Sequence, residues 1–113
     1  VRTGWIDFFR TLPKGAPMPF EQPGLGYDAV EFVRDHDIAV VGSDNSAIEC
    51  IPFDRGVFMG IHVELLVKLG IPLMEHLDLT ELAADGCSTS LLCVAPLPVT
   101  GAAGSPVNPI AIG

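Results

Sequence analysis

The sequence predicts an α/β fold, a mixed sheet with a few short helices, and three stretches carry that prediction. Residues 27–36 place Val30 and Val33, with Ala29 and Phe32 beside them, on one stripe, while Asp28, Glu31, Arg34 and Asp35 fall on the other side. Residues 38–41, Ile-Ala-Val-Val, form a continuous apolar run ended by Gly42, the pattern of a strand buried on both faces. Residues 60–77, GIHVELLVKLGIPLMEHL, read as a short helix, a glycine and a returning strand. Helix, short loop and buried strand in that order make half of an α/β unit.

The chain has 113 residues, enough for one small domain with its own core. It opens on VRTGW, without Met and as if already inside an element, so it is expected to be a single partial domain from the later part of a longer protein. Its 49% hydrophobic content comes without any apolar run long enough to span a bilayer, and no signal peptide is visible. Fourteen acidic residues against six basic ones give a net charge of −8. That balance repels phosphate backbones and anionic lipids, so neither nucleic acid nor a membrane is an expected partner. Cys50, Cys87 and Cys93 are odd in number and lack C-x-x-C spacing. They read as reduced thiols of a cytoplasmic protein rather than a disulfide frame or a zinc knuckle.

At the start, a turn is expected at Gly4, followed by an apolar patch of Trp5, Ile6, Phe8 and Phe9 that packs into a core or a lid. Residues 13–23 carry four prolines and form a loop that could help to cover a pocket. The helix at 27–36 has a weak start at Gly26, and Glu31 and Asp35 repel at i,i+4, so packing of its apolar stripe must hold it. His36 near its end suits the helix dipole. The polar run 42–46 follows a strand end, where open α/β sheets bind ligands, which makes Asp44 a candidate pocket residue; a polar turn closed by an Asx bond explains it equally well.

In the 60–77 stretch, Leu65, Leu66 and Leu69 are spaced to line one helix face. Gly70 stands where a C-cap needs positive φ, and Pro72 keeps the following strand from being central throughout. His62 and Glu75 bracket the unit, and a helix out with a strand back could bring them together. His76 competes with Glu75, but side chains alternate along a strand, so only one of the two can face His62. Further on, Asp78 with Glu81 has capping-box spacing for a helix through Ala84. Residues 90–95 read as a second buried strand, and 107–112, with Pro109, as an edge strand. The glycine-rich turn at 100–106 lacks the Lys-Ser/Thr pair of a P-loop and a following helix, so it is not a nucleotide cradle.

Taken together, RTGW, the Pro-Gly-Leu before an amphipathic helix, VVGSD, H-x-E-L-L leading to GIPLMEHLDL, and APLPVTGAAGSPVNPIAI resemble the C-terminal half of the cyclase family. That family includes bacterial-type kynurenine formamidases and isatin hydrolases. The resemblance implies the C-terminal portion of a swivelling β/β/α domain and a metal-dependent amidohydrolase using zinc or manganese. It implies a metal-activated water attacking a formamide or cyclic amide carbonyl of a small molecule, in a homo-oligomer. The family's first-half motif, H-x-G-T-H-x-D-x-P, is absent from this sequence. The residues that match the family's late metal ligands are His62 and Glu75. No catalytic residue is assigned within the chain, while Trp5 and Phe8, with Asp44, are candidates for the substrate pocket. The chain by itself is expected to bind metal weakly and to hydrolyse nothing. The alternative is a non-catalytic truncated or degenerate module that folds or oligomerises without activity.

Overall fold

The computed structural model describes all 113 residues, which form two compact units, Val1–Asp78 and Leu79–Gly113. The first unit is built around a short parallel pairing. Strand β1 (Val41–Gly42) lies beside β2 (Leu73–Met74), with Val41 opposite Leu73 and Gly42 opposite Met74. Backbone bonds continue past the strands, from Ser43 N–H to the Met74 carbonyl, Leu77 N–H to Ser43 and His76 N–H to Asn45. Residues 72–77 thus run alongside 41–45. Pro72 contributes only its carbonyl, to Val41 N–H, so its missing donor costs nothing there.

Helix α1 (Trp5–Arg10) starts after Gly4, whose φ of 82° makes the expected turn. Helix α2 (Ala29–Asp35) buries Val30 and Val33, as the stripe predicts, and ends on His36, whose Nδ1 lies 2.9 Å from the Phe32 carbonyl. Helix α3 (Gly60–His62) runs directly into a π-helical segment, Val63–Lys68. Val30, Val33, Val41, Ile48, Ile61 and Leu65 form one apolar cluster, flanked by Leu25, Ile38, Ile71 and Leu73. Burying each such side chain is worth about 1.5–3 kcal/mol, so these contacts, rather than helix propensity, hold the short elements.

The structure departs from the sequence expectations at several points. The strand expected over 38–41 shrinks to two residues, and Ala39 is exposed, so that run is not buried on both faces. Leu65 is fully buried, but Leu66 and Leu69 are exposed. The wider π turn, marked by the Leu69 N–H bonding to the Glu64 carbonyl, shifts the register that α-helical spacing assumes. Gly70 does take the left-handed conformation, at φ 69°, and Ile71 N–H reaches back to the Leu65 carbonyl to close the helix end.

In the second unit, the cap position of α4 (Thr80–Ala84) falls on Leu79, which makes no side-chain cap bond, one residue beyond the Asp78 cap that the sequence suggests. The Asp78 carboxylate meets Arg10 at 2.7 Å. Strand β3 (Leu91–Cys93) pairs antiparallel with β4 (Ile110–Ile112), Leu91 opposite Ile112. The strand expected to be buried at 90–95 is therefore exposed at every paired position, as is β4. A two-stranded ribbon brings no second layer of its own to cover its apolar side chains.

Candidate functional site

The polar run after β1 is buried, not a surface turn. Ser43, Asp44 and Asn45 are all fully inaccessible, and a loop sunk this deep must satisfy its polar groups within the protein. Asp44 does so by accepting from Thr3 N–H and Thr3 Oγ1, both at 2.7 Å, and from Gly4 N–H at 2.8 Å. Burial alone would push this carboxyl up, but those donors outweigh it and hold it below its ordinary value of 3.8. Asp44 thereby anchors the entry to α1. The Asn45 amide donates to the Pro23 carbonyl at 2.7 Å and to the Glu49 carbonyl at 3.3 Å. Ser46 donates through both N–H and Oγ to the Gln22 Oε1.

These ties fix the segment that follows. Leu25 N–H bonds to the Ile48 carbonyl and Cys50 N–H to the Leu25 carbonyl, so residues 22–25 brace 48–51. The approach is close enough that only glycine fits at position 24, where a Cβ would overlap the backbone of Glu49 and Cys50. Glu49 ends up 3% exposed. Its Oε1 accepts from His62 N–H at 3.2 Å and lies 2.8 Å from His62 Nδ1, and its Oε2 accepts from Ile61 N–H at 3.3 Å.

The other ring nitrogen of His62, Nε2, lies 3.3 Å from Glu75 Oε1. The helix out and strand back do bring these two residues together. Glu75 follows β2 and reaches His62, whereas the neighbouring His76, at φ 55°, packs its ring against Trp5 with centroids 5.9 Å apart. With both carboxylates at hand, the hydrogen bond to Glu75 first and the contacts with Glu49 next raise the His62 pKa above 6.5, against the opposing effect of burial. In the protonated state, the ring can donate to both carboxylates at once.

A divalent ion suits the same two atoms. Zinc–nitrogen and zinc–oxygen bonds of ~2.0–2.2 Å at a tetrahedral angle put ligand atoms roughly 3.3–3.6 Å apart. The Nε2–Oε1 distance of 3.3 Å lies at that separation. Metal-binding imidazoles also commonly donate their second N–H to a carboxylate, the place Glu49 occupies. No group of three His, Cys, Asp or Glu side chains gathers as a metal cage around this pair.

The remaining candidates sit differently. Trp5 is 2% exposed and stacks on Phe9 at 5.1 Å, and its indole Nε1 has no hydrogen-bond partner. Phe8 is half-exposed. The sequence reading passed over Glu49. Its signal was a lone charge within the apolar run 47–51, which must find partners if that run is buried.

Neither a protein-family model nor a curated protein matches the chain. A solved crystal structure described as that of a novel cyclase does, with a TM-score of 0.79 and 33% identity over 99% of this chain. The likeness supports a place in the cyclase family. The chain spans 38% of that cyclase's length, so the rest of the cyclase has no counterpart here. The cyclase likeness agrees with the mixed α/β content, with its short helices and small parallel and antiparallel pairings. No helix is long and apolar enough to cross a membrane.

Proposed function

We propose that this chain supplies half of the metal site of a metal-dependent amidohydrolase, with His62 Nε2 and Glu75 Oε1 as its ligands. The observation that carries this reading is their convergence at 3.3 Å with Nδ1 tied to a buried carboxylate. A bound zinc or manganese ion supplies Lewis-acid polarisation of a carbonyl and an acidified water, which suits hydrolysis of a formamide or cyclic amide. The chain's own residues hold the ligand atoms in place: Glu49 orients the imidazole, and the bonds of residues 72–77 to β1 and the loop after it set the position of Glu75. A proton and a cation compete for Nε2, so acidification weakens metal binding. Trp5, buried with a free indole N–H, is proposed as part of the pocket wall, where that N–H could donate to the substrate. The further ligands are proposed to come from outside these 113 residues.

Hydrolysis of an N-formyl aromatic amide by the intact protein tests this reading. Turnover should vanish on chelation and return when zinc or manganese is restored; turnover that survives complete metal removal would refute it. A second reading, a non-catalytic module, is favoured by the lack of a third ligand within the chain. It predicts no turnover under either condition. The exposed apolar residues of β3 and β4, including Leu91, Ile110 and Ile112, support assembly into a homo-oligomer.

A further inference from the structure

Beyond the two proposed ligands, the carboxylate tied to the His62 ring is Glu49. It is buried, forms no ion pair with lysine or arginine, and has His62 as its ionic partner. Both of its oxygens are engaged, Oε2 by Ile61 N–H and Oε1 by the N–H and ring of His62. An ionised carboxylate only accepts hydrogen bonds. The shorter contact, 2.8 Å at Nδ1, therefore holds the hydrogen of the neutral ring, and the longer one, 3.3 Å from Nε2 to Glu75, carries a hydrogen only while the ring is protonated.

We infer that Glu49 is a positioning residue: it fixes His62 as the Nδ1–H tautomer and aims the bare Nε2 at Glu75. The functional consequence rests on the metal-site reading above; the tautomer itself does not.

The backbone around this group is held in uncommon conformations. Three non-glycine residues in the left-handed region flank it: Ile48 at φ 59° beside Glu49, Met59 at φ 51° before α3, and His76 at φ 55° after Glu75. Such conformations cost roughly 1–3 kcal/mol each, and for a β-branched residue like Ile48 they are uncommon. They persist because the surrounding bonds impose them, and strain of this kind collects where side chains must be held in one arrangement. The Asn45 amide and the bracing by Leu25 on either side of Glu49 are bonds of that kind.

The test uses metal-free protein labelled with 15N-histidine, at alkaline pH where the imidazole is neutral. Long-range 1H–15N correlations should show His62 with hydrogen on Nδ1 and none on Nε2. Glu49→Ala removes the acceptor at Nδ1 and leaves Glu75 as the acceptor beside Nε2, so the tautomer should invert. Zinc affinity should fall about 10–100-fold with it, as for other carboxylates that orient a metal-binding histidine. A wild-type His62 carrying its hydrogen on Nε2 would overturn the inference, as would a folded Glu49→Ala protein that keeps the Nδ1–H tautomer. The wild-type spectrum decides even if the variant fails to fold. Inversion of the tautomer in a protein whose zinc binding ignores His62 would leave Glu49 in its role and remove the metal reading. Zinc binding that needs His62 but is indifferent to Glu49→Ala, with the tautomer unchanged, would do the reverse.

Discussion

His62→Ala is expected to lower zinc affinity of the intact protein by about 100-fold or more, and turnover with it. Binding of a structural zinc is worth about 10–16 kcal/mol shared among four ligands, or roughly 3 kcal/mol for each, and 1.4 kcal/mol is a tenfold change. Glu75→Ala should act in the same direction, because it removes the oxygen that meets Nε2. Calorimetric titration and metal content by mass spectrometry check both. The fold should survive, since the core cluster of Val30, Val33, Val41, Ile48, Ile61 and Leu65 is untouched and Glu49 keeps its bonds to the Ile61 and His62 N–H groups. Unchanged affinity in both variants would remove His62 and Glu75 from the site.

The largest stability effect is expected at Asp44. Asp44→Asn replaces one acceptor oxygen by an NH2 that must face Thr3 or Gly4, a donor against a donor. Hydrogen bonds to a charged group are worth about 1.5–3 kcal/mol each, so a loss of roughly 3 kcal/mol is expected. Urea unfolding at neutral pH should show it as a lower midpoint at unchanged slope, and the amides of Thr3 and Gly4 should exchange faster. The pH dependence follows from the direction of the shift. The folded-state pKa lies below 3.8, so the stabilisation is fully present well above 3.8. It is lost as pH falls through the depressed folded-state value. The gap between wild type and Asp44→Asn should therefore narrow on strong acidification; a gap that widens there would rule out the anchoring role.

Much of the first unit was legible because local patterns and tertiary contacts agree there. The Val30 and Val33 stripe, the turn at Gly4 and the left-handed Gly70 all stand where residue chemistry puts them. The meeting of His62 and Glu75 was visible as a permitted geometry because a helix, a glycine and a strand reverse the chain between them. Other features depend on contacts that no local pattern records. The π turn that exposes Leu66 and Leu69 is a change of register within a segment whose composition suits an ordinary helix. The loop at 43–45 read equally as a pocket edge or as a turn closed by an Asx bond, because its partners, Thr3, Gly4 and Pro23, lie 22 to 41 residues away in the chain. Apolar content made 90–95 read as a buried strand, yet burial needs a covering layer, and its only strand partner is the equally exposed β4. Glu49 escaped for a related reason: its role exists only once the loop, the brace at Leu25 and the start of α3 are assembled.

The metal assignment is tested most directly by crystals of the intact protein grown with zinc or manganese and measured at that metal's absorption edge. The account predicts anomalous difference density within ~2.0–2.2 Å of His62 Nε2 and of a Glu75 carboxylate oxygen. Density bound elsewhere, with Glu75 Oε1 still in direct contact with His62 Nε2, would contradict it.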